Sequence, residues 1–184
     1  VSKNVLSRFS ADEIYERLVI WTAEYDKDFN ALLCDKPDYA KRILAIGRGG
    51  NKPRKDFALY SEVKGYMGFF YDEYFEIKDS IPESFKKEDI KRAIELFIES
   101  YDAADDQTTW FAKIKDVASA IGYSPDIKAY KANPEQFGGH VGDVSMFLRV
   151  AVTGKTNSPD MYEVMSILGK ERVVARLEAF INKI

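Results

Sequence analysis

GHVGDVSMFLRVAVTG, residues 139–154, carries a clear helical pattern of apolar residues. Its apolar residues recur at intervals of three and four, as on the buried face of a helix: Val144, Phe147, Leu148 and Ala151. We predict a helix over residues 141–152, ended by Gly154, since glycine suits the left-handed position after a helix. The stretch shows none of the apolar-polar alternation that is typical of a half-buried strand.

Helical spacing continues on both sides of this stretch. After it, we predict a helix that begins at Ser158-Pro159-Asp160, with Ser158 as its cap, and a last helix over residues 171–184. Before it, six helices are predicted: residues 11–24, a short one around Phe29 to Leu33, one opened by Pro37, an aromatic one from Ser61 to Tyr74, residues 87–101, and one capped by Thr108 or Thr109. Residues 123–139 are predicted to be mostly irregular. The sequence thus predicts an all-α fold.

The helical pattern is interrupted near the middle of the chain. Ile81-Pro82 breaks it, and residues 77–83 are therefore the predicted boundary. We expect two small helical subdomains, residues 1–80 and 81–184.

Composition excludes several classes of protein. The 184 residues carry a net charge of −3 and 46% apolar residues, without an apolar run long enough to span a membrane or the pattern of a signal peptide. The single cysteine, Cys34, excludes an internal disulfide and is predicted to be buried. We expect a soluble, cytoplasmic protein with neither membrane nor DNA among its partners.

Catalytic and metal-binding motifs are missing from the sequence. His140 is the only histidine, which excludes zinc sites that need two, and beside glycines it is interpreted as an ordinary polar residue. Neither a GxxxxGK[ST] nor a strand-borne GxGxxG phosphate loop is present. We predict no catalytic residue, no metal ligand and no cofactor for these residues.

Positive charge is concentrated in two segments that contain no acidic residue. The first lies between Asp38 and Asp56 and contains Lys41, Arg42, Arg48, Lys52, Arg54 and Lys55. The second lies between Asp143 and Asp160 and contains Arg149 and Lys155. The arginine and lysine side chains of both segments are suited to contact RNA phosphates or base edges. For the first segment, an ordinary solvated loop remains the alternative.

Five segments resemble the anticodon-binding region of bacterial glutamyl-tRNA synthetases, in the family's order. They are Lys52-Pro-Arg-Lys-Asp-Phe-Ala-Leu-Tyr-Ser-Glu-Val63, Phe69-Phe-Tyr-Asp-Glu73, Gly139 to Gly154, Ser158-Pro-Asp-Met-Tyr-Glu-Val-Met165 and Ile167-Leu-Gly-Lys-Glu-Arg-Val173. The resemblance extends from about residue 10 to the C-terminus. It implies an all-helical pair of subdomains that grips the anticodon stem-loop of tRNA-Glu, which carries the sequence C/U-U-C.

The resemblance also implies roles for individual residues. The family's anticodon contacts at a Thr/Ser-Pro-x-Leu helix start fall on Ser158, Pro159 and Met161, with methionine in place of leucine. An arginine that recognises the first anticodon base falls on Arg54, with Arg48 or Lys52 as alternatives. We expect tRNA contacts from Arg48, Lys52, Arg54, Lys55, Arg149, Lys155, Ser158, Pro159 and Met161.

The family's ATP-binding motifs, of His-Ile-Gly-His and Lys-Met-Ser-Lys-Ser type, do not occur in this sequence. We therefore expect a C-terminal part of a glutamate–tRNA ligase that binds tRNA and is inactive alone, with ATP and Mg²⁺ used by the missing catalytic half. The alternative function is a helical protein-interaction module with a docking face formed by Tyr66, Phe70 and Tyr74.

Overall fold

The computed structural model describes residues 3–51, 53 and 55–184, and these residues form helices joined by loops. The helices are α1 Lys3–Leu6, α2 Ala11–Tyr25, α3 Lys27–Asp35, α4 Pro37–Ala45, α5 Val63–Met67, α6 Lys87–Ser100, α7 Gln107–Ala120, α8 Ile127–Ala132, α9 Val141–Thr153, α10 Met161–Leu168 and α11 Lys170–Ile181. Single 3₁₀ turns lie at Tyr60–Glu62, Gly68–Phe70 and Pro134–Gln136. The only β pairing in the described residues is an isolated bridge between Ser124 and His140. The predicted all-α class is confirmed.

The chain folds into two compact units, Val1–Phe75 and Glu76–Ile184. The division lies earlier in the chain than the boundary predicted from the sequence. Its position has a local cause, because the backbone N–H groups of Lys78 and Asp79 donate to the carbonyl oxygen of Gly154 at 2.8 and 3.0 Å. These bonds hold the segment after Phe75 in the second unit.

The N-terminal unit is built around α2, which packs on α3 and α4. A capping box starts α2: the Ser10 Oγ accepts from the Glu13 N–H at 3.2 Å, and Glu13 Oε2 accepts from the Ser10 N–H at 2.8 Å. Ile14 and Leu18 of this helix are fully buried. The predicted first helix is confirmed.

The C-terminal unit is built around α9, which packs against α6, α7 and α11. Eight side chains of α9 are buried, in agreement with the apolar pattern of residues 139–154: Val141, Val144, Phe147, Leu148, Val150, Ala151, Val152 and Thr153. Gly154 follows with φ of 74°, in the left-handed conformation that its place after the helix predicted.

The predicted aromatic helix over residues 61–74 is wrong. A 3₁₀ turn, the five-residue α5 and a second 3₁₀ turn replace it, and the helical backbone ends at Phe70. Gly65 and Gly68 interrupt this segment, and glycine is a poor helix former. The side chain of Phe70 is fully buried, so burial of the aromatic residues does not require a continuous helix.

Three smaller features also differ from what the sequence predicted. Residues 127–132 of the segment predicted to be irregular form α8, which Asp126 caps by accepting from the Ala129 N–H at 2.8 Å. Asp106 caps α7, in place of Thr108 or Thr109. Cys34 is exposed instead of buried.

The longest described helix, α2, has 15 residues. No helix in the described part of the chain is long and apolar enough to cross a membrane.

Candidate nucleic-acid interface

Arg149 and Ser158 meet in the C-terminal unit. Arg149 lies in α9, and its Nε donates to the Ser158 Oγ at 3.1 Å. The same Oγ lies 2.9 Å from the Pro159 carbonyl oxygen and 3.3 Å from the Met161 Sδ, so its one hydrogen has two possible acceptors. The structure thus brings together four of the predicted site residues at one place.

The start of α10 differs from its prediction. Asp160, and not Ser158, is the N-cap, since the Asp160 Oδ1 accepts from the Glu163 N–H at 3.1 Å. Ser158 lies two residues before the cap, and its hydroxyl faces Arg149. Pro159 and Met161 are buried, the latter with 4% of its surface exposed. The polar residues at this point are less buried than these two, since Ser158 and Arg149 are half-buried and Asp160 is exposed.

Lys155 and Thr156 lie in the loop between α9 and α10. The Lys155 N–H donates to the Thr153 Oγ1 at 3.2 Å, which continues the turn after α9. Burial lowers the pKa of the Lys155 ammonium, the nearby Lys78 lowers it further, and Asp79 acts in the opposite direction. Lys155 is thus a partly buried cation with a second cation close by.

Asp79 lies beside the candidate site and was not singled out from the sequence. Its Oδ2 accepts from the Thr156 backbone N–H at 2.6 Å and from the Thr156 hydroxyl at 2.8 Å. These bonds lower the pKa of the Asp79 carboxyl. The segment between Asp143 and Asp160, which contains no acid in its sequence, therefore has an acid beside it in space. Asp79 and Thr156 are 77 positions apart in the chain, and the sequence gave no signal for this contact.

Gly154 fixes the path of the same loop. A Cβ placed on it would overlap the Glu76 carbonyl oxygen, far inside van der Waals contact. The close approach lets the Gly154 carbonyl accept from both Lys78 and Asp79. Loop residues 155–158 are consequently held at both ends of their path, by Gly154 and by Arg149.

In the N-terminal unit, Arg48 has a structural role. Its Nε donates to the Leu44 carbonyl at 2.6 Å, and its Nη1 donates to the carbonyls of Leu6 at 2.7 Å and Phe9 at 3.3 Å. The guanidinium carbon lies 5.4 Å from the ring centroid of Phe57. Burial lowers the pKa of this guanidinium. Arg48 thus ties the end of α4 to the last residue of α1 and to the segment that follows it.

The other cations of the first basic segment are arranged differently. Lys41 pairs with Asp12 at 2.8 Å. Lys55 is exposed and lines a groove of about 680 Å³ beside Arg8. Lys52 and Arg54 lie outside the described residues. The structure describes two of the predicted tRNA contacts in this segment, Arg48 and Lys55, and of these two Lys55 is the exposed one.

His140 caps a helix. Its Nδ1 accepts from the Gly142 N–H at 3.0 Å at the start of α9, and its Nε2 lies 3.7 Å from the Asp143 Oδ2. Both contacts are with the first turn of the same helix. Across residues 3–51, 53 and 55–184, no group of three or more His, Cys, Asp or Glu side chains is placed to hold a metal ion.

Comparisons with known proteins agree on one family. Residues 51–181 match the family model described as anticodon binding domain. The chain is 43% identical to glutamate–tRNA ligase of Acetivibrio thermocellus over 97% of its length, and 43% identical to that of Sorangium cellulosum over 98%. The chain is 37% identical to the ligase of Clostridium perfringens over 98% of its own length. The chain spans about a third of each relative: 33%, 32% and 34%. The chain belongs to the anticodon-binding domain family that these ligases contain.

Proposed function

We propose that this chain recognises the anticodon loop of tRNA-Glu as the anticodon-binding part of a glutamate–tRNA ligase. One observation carries the proposal: Arg149 and Ser158 are joined by a 3.1 Å hydrogen bond beside the start of α10. The resemblance assigns anticodon contacts to this helix start. Family membership and the names of the relatives give independent support.

The chemistry of this cluster suits an unstacked base. Bases of a loop expose their Watson–Crick edges, which proteins read with hydrogen bonds and apolar surfaces. A hydroxyl both donates and accepts, and Ser158 is a half-buried residue. Arg149 adds a donor that cannot be deprotonated in a protein. The bond between the two side chains holds the hydroxyl in one position before RNA arrives.

Phosphate contacts are proposed for Lys155 and Lys55, each in its own unit. Lys155 has Lys78 close enough to lower its pKa, so a phosphate near both ammonium groups is attracted by both and reduces their repulsion. The contact of Arg54 with the first anticodon base, with Lys52 as its alternative, stays a proposal from the resemblance. Arg48 is proposed to support the loop that carries Lys52 and Arg54, since its guanidinium donates to three backbone carbonyls.

In this proposal the chain does not catalyse aminoacylation. The attachment of glutamate to tRNA-Glu, with ATP and Mg²⁺, belongs to a catalytic part of the ligase outside these 184 residues. The whole ligase acts in the cytoplasm, where translation takes place.

The alternative, a protein-docking face made of Tyr66, Phe70 and Tyr74, is not favoured. Phe70 is fully buried. Tyr66 packs against Phe57, with ring centroids 5.5 Å apart, and Tyr74 packs edge-on against Phe29 at 6.2 Å. These rings contribute to the interior of the N-terminal unit.

The decisive experiment compares two RNAs. Affinity of the full 184-residue chain is measured for transcribed tRNA-Glu and for the same tRNA with a changed central anticodon base. We expect the changed tRNA to bind at least about 5-fold more weakly, because a lost base contact costs about 1–3 kcal/mol. Equal affinity for the two RNAs would show that the anticodon is not read.

Two variants separate base reading from phosphate binding. Ser158→Ala is expected to reduce the preference between the two tRNAs. Lys155→Ala is expected to weaken binding to both alike and to lower the salt dependence by about one unit of slope. Unchanged preference in the first variant and unchanged salt dependence in the second would place the RNA on a different surface.

A further inference from the structure

A groove of about 580 Å³ lies in the C-terminal unit next to the proposed anticodon contacts. One wall is α7 and the other is α9, and Asp160 and Met161 at the start of α10 complete the lining. The interior is apolar, because it is lined by buried side chains: Trp110, Ile114, Leu148 and Met161. Arg149 and Met161 belong both to this groove and to the cluster around Ser158.

Phe111 is the exposed aromatic residue of the groove. Its side chain is 38% exposed, although it lies in a helix whose neighbouring Trp110 is only 7% exposed. Gln107 and Lys115 lie four residues before and after it, so the three share one face of α7. An aromatic ring that is partly exposed between polar neighbours can contact a flat ligand.

Positive charge lies on both walls. The Lys115 Nζ is 5.2 Å from the ring centroid of Phe111. Lys115 takes part in none of the ion pairs found among the described residues. On the opposite wall, Arg149 is exposed in part and contacts Ser158.

One acid lines the groove, and it already has partners. Asp160 accepts from the Glu163 N–H at 3.1 Å as the cap of α10, and its other oxygen lies 3.4 Å from the Gln107 Nε2. The combination of an exposed ring, an apolar interior and a cation on each wall matches a nucleotide, which is a flat base joined to an anionic phosphate.

We propose that this groove binds an unpaired nucleotide of the tRNA anticodon loop next to those read at Ser158, with its base against Phe111 and its phosphate near Lys115 and Arg149. The inference rests on the proposed function and extends it, since it adds α7 to the RNA-binding surface. A side chain of a partner protein is the competing occupant. It is less suited than a nucleotide to a groove with a cation on each wall.

The test uses the full chain and a synthetic anticodon stem-loop of tRNA-Glu, with 2-aminopurine placed at one loop position at a time. Stacking on an aromatic ring quenches this fluorescent base. We expect one position to be quenched further on binding to the parent chain and to lose that quenching with Phe111→Leu. Phe111→Leu keeps an apolar side chain of similar bulk, and Phe111→Tyr keeps the ring.

Affinity of the same stem-loop gives the second readout. We expect Phe111→Leu to weaken binding by about 5- to 100-fold and Phe111→Tyr to bind within about 2-fold of the parent, because stacking needs the ring. Lys115→Gln should weaken binding and lower its salt dependence. The matched controls Ile127→Ala and Lys128→Gln change an exposed apolar residue and a cation of α8, outside the groove, and should bind like the parent.

The two proposals fail in different ways. If the parent chain prefers the correct anticodon but Phe111→Leu binds like the parent and no position loses quenching, the groove does not take a nucleotide and only this inference is overturned. If the parent itself binds stem-loops without regard to the anticodon, the proposed function and the inference both fall. Fluorescence of Trp110 in a Trp21→Phe background verifies that each variant is folded.

Discussion

Asp79 and Thr156 are joined by two hydrogen bonds to one carboxylate oxygen, from the Thr156 N–H at 2.6 Å and from its hydroxyl at 2.8 Å. The pair connects the segment after Phe75 to the loop that carries Lys155 and Ser158. The order of this loop therefore depends on a residue from a distant part of the sequence.

This pair makes the order of the loop dependent on pH. The bonds from Thr156 lower the pKa of Asp79, so the folded carboxyl stays ionised to a lower pH than in the unfolded chain. Its stabilising contribution is present above the unfolded pKa of about 4 and is lost as pH falls through the lower, folded pKa. We expect Asp79→Ala to speed hydrogen exchange of the Thr156 amide at neutral pH, and to remove the dependence of that exchange on Asp79 ionisation at acid pH.

Glu83→Ala is the matched control for Asp79→Ala, because Glu83 is an exposed acid of the same unit. Exchange at Thr156 should be the same in Glu83→Ala as in the parent chain. Equal exchange in Asp79→Ala and the parent would contradict the assigned bonds.

Arg48 is expected to matter for the stability of the N-terminal unit. Arg48→Lys loses the planar fork that reaches the carbonyls of Leu44, Leu6 and Phe9, and a single ammonium does not replace it. We expect the free energy of unfolding to fall by about 2–3 kcal/mol, since hydrogen bonds from charged groups contribute about 1.5–3 kcal/mol. Trp21 fluorescence in a Trp110→Phe background measures it during urea unfolding.

Arg42→Lys is the control for Arg48→Lys, because Arg42 is an exposed residue of α4. It should unfold like the parent chain. A stable Arg48→Lys variant with weakened tRNA binding would instead assign Arg48 to the RNA contacts.

The sequence predicted the helices better than their ends. Apolar spacing identified α9 and α2 because it records which side chains are buried, and burial is the main source of helix stability in a folded protein. The cap of α10 was misplaced because Ser158-Pro159-Asp160 contains two good cap residues, and only the folded loop brings Arg149 to the first of them. Local sequence does not contain that distant partner.

Individual residues in and around the candidate site could be predicted from the sequence to different extents. Charge patterning predicted contacts from Arg149, Lys155 and Arg48 alike. In the structure Arg149 and Lys155 are half-buried, whereas the Arg48 side chain donates to backbone carbonyls. Asp79 was missed because its contact with Thr156 spans two segments far apart in the chain. The sequence did not single out Phe111, because a pattern of apolar residues does not distinguish a ring that stays exposed from one in the core.

Asp160 and Ser158 are expected to differ in what they contribute. Asp160→Ala removes the acceptor for the Glu163 N–H and should lower the free energy of unfolding by about 0.5–2 kcal/mol, whereas Asp160→Asn keeps the cap and should cost little. Ser158→Ala should cost less stability than Asp160→Ala, and should reduce the preference for the correct anticodon. Urea unfolding and stem-loop binding of the three variants measure both effects. A larger loss of stability for Ser158→Ala than for Asp160→Ala would indicate that Ser158 is the cap of α10.

Gly154 gives the strongest stability prediction, because two separate effects oppose a side chain there. Its φ of 74° disfavours any Cβ, and that Cβ would overlap a backbone oxygen of Glu76, which has no flexible side chain to move away. Gly122 is the matched control, since it has φ of 78° at the end of α7 but no atom within 4 Å of an added Cβ.

We therefore expect Gly122→Ala to cost about 1–2 kcal/mol, the cost of the left-handed conformation alone. Gly154→Ala should cost about 3–5 kcal/mol, which is large for a single substitution. Urea unfolding followed by Trp110 fluorescence in the Trp21→Phe background compares the two within the same unit. The difference between the variants isolates the contact with Glu76, because the backbone strain is common to both. Equal losses would mean that the segment at Glu76 moves aside at little cost, and that the bonds from Lys78 and Asp79 to Gly154 do not hold the loop in place.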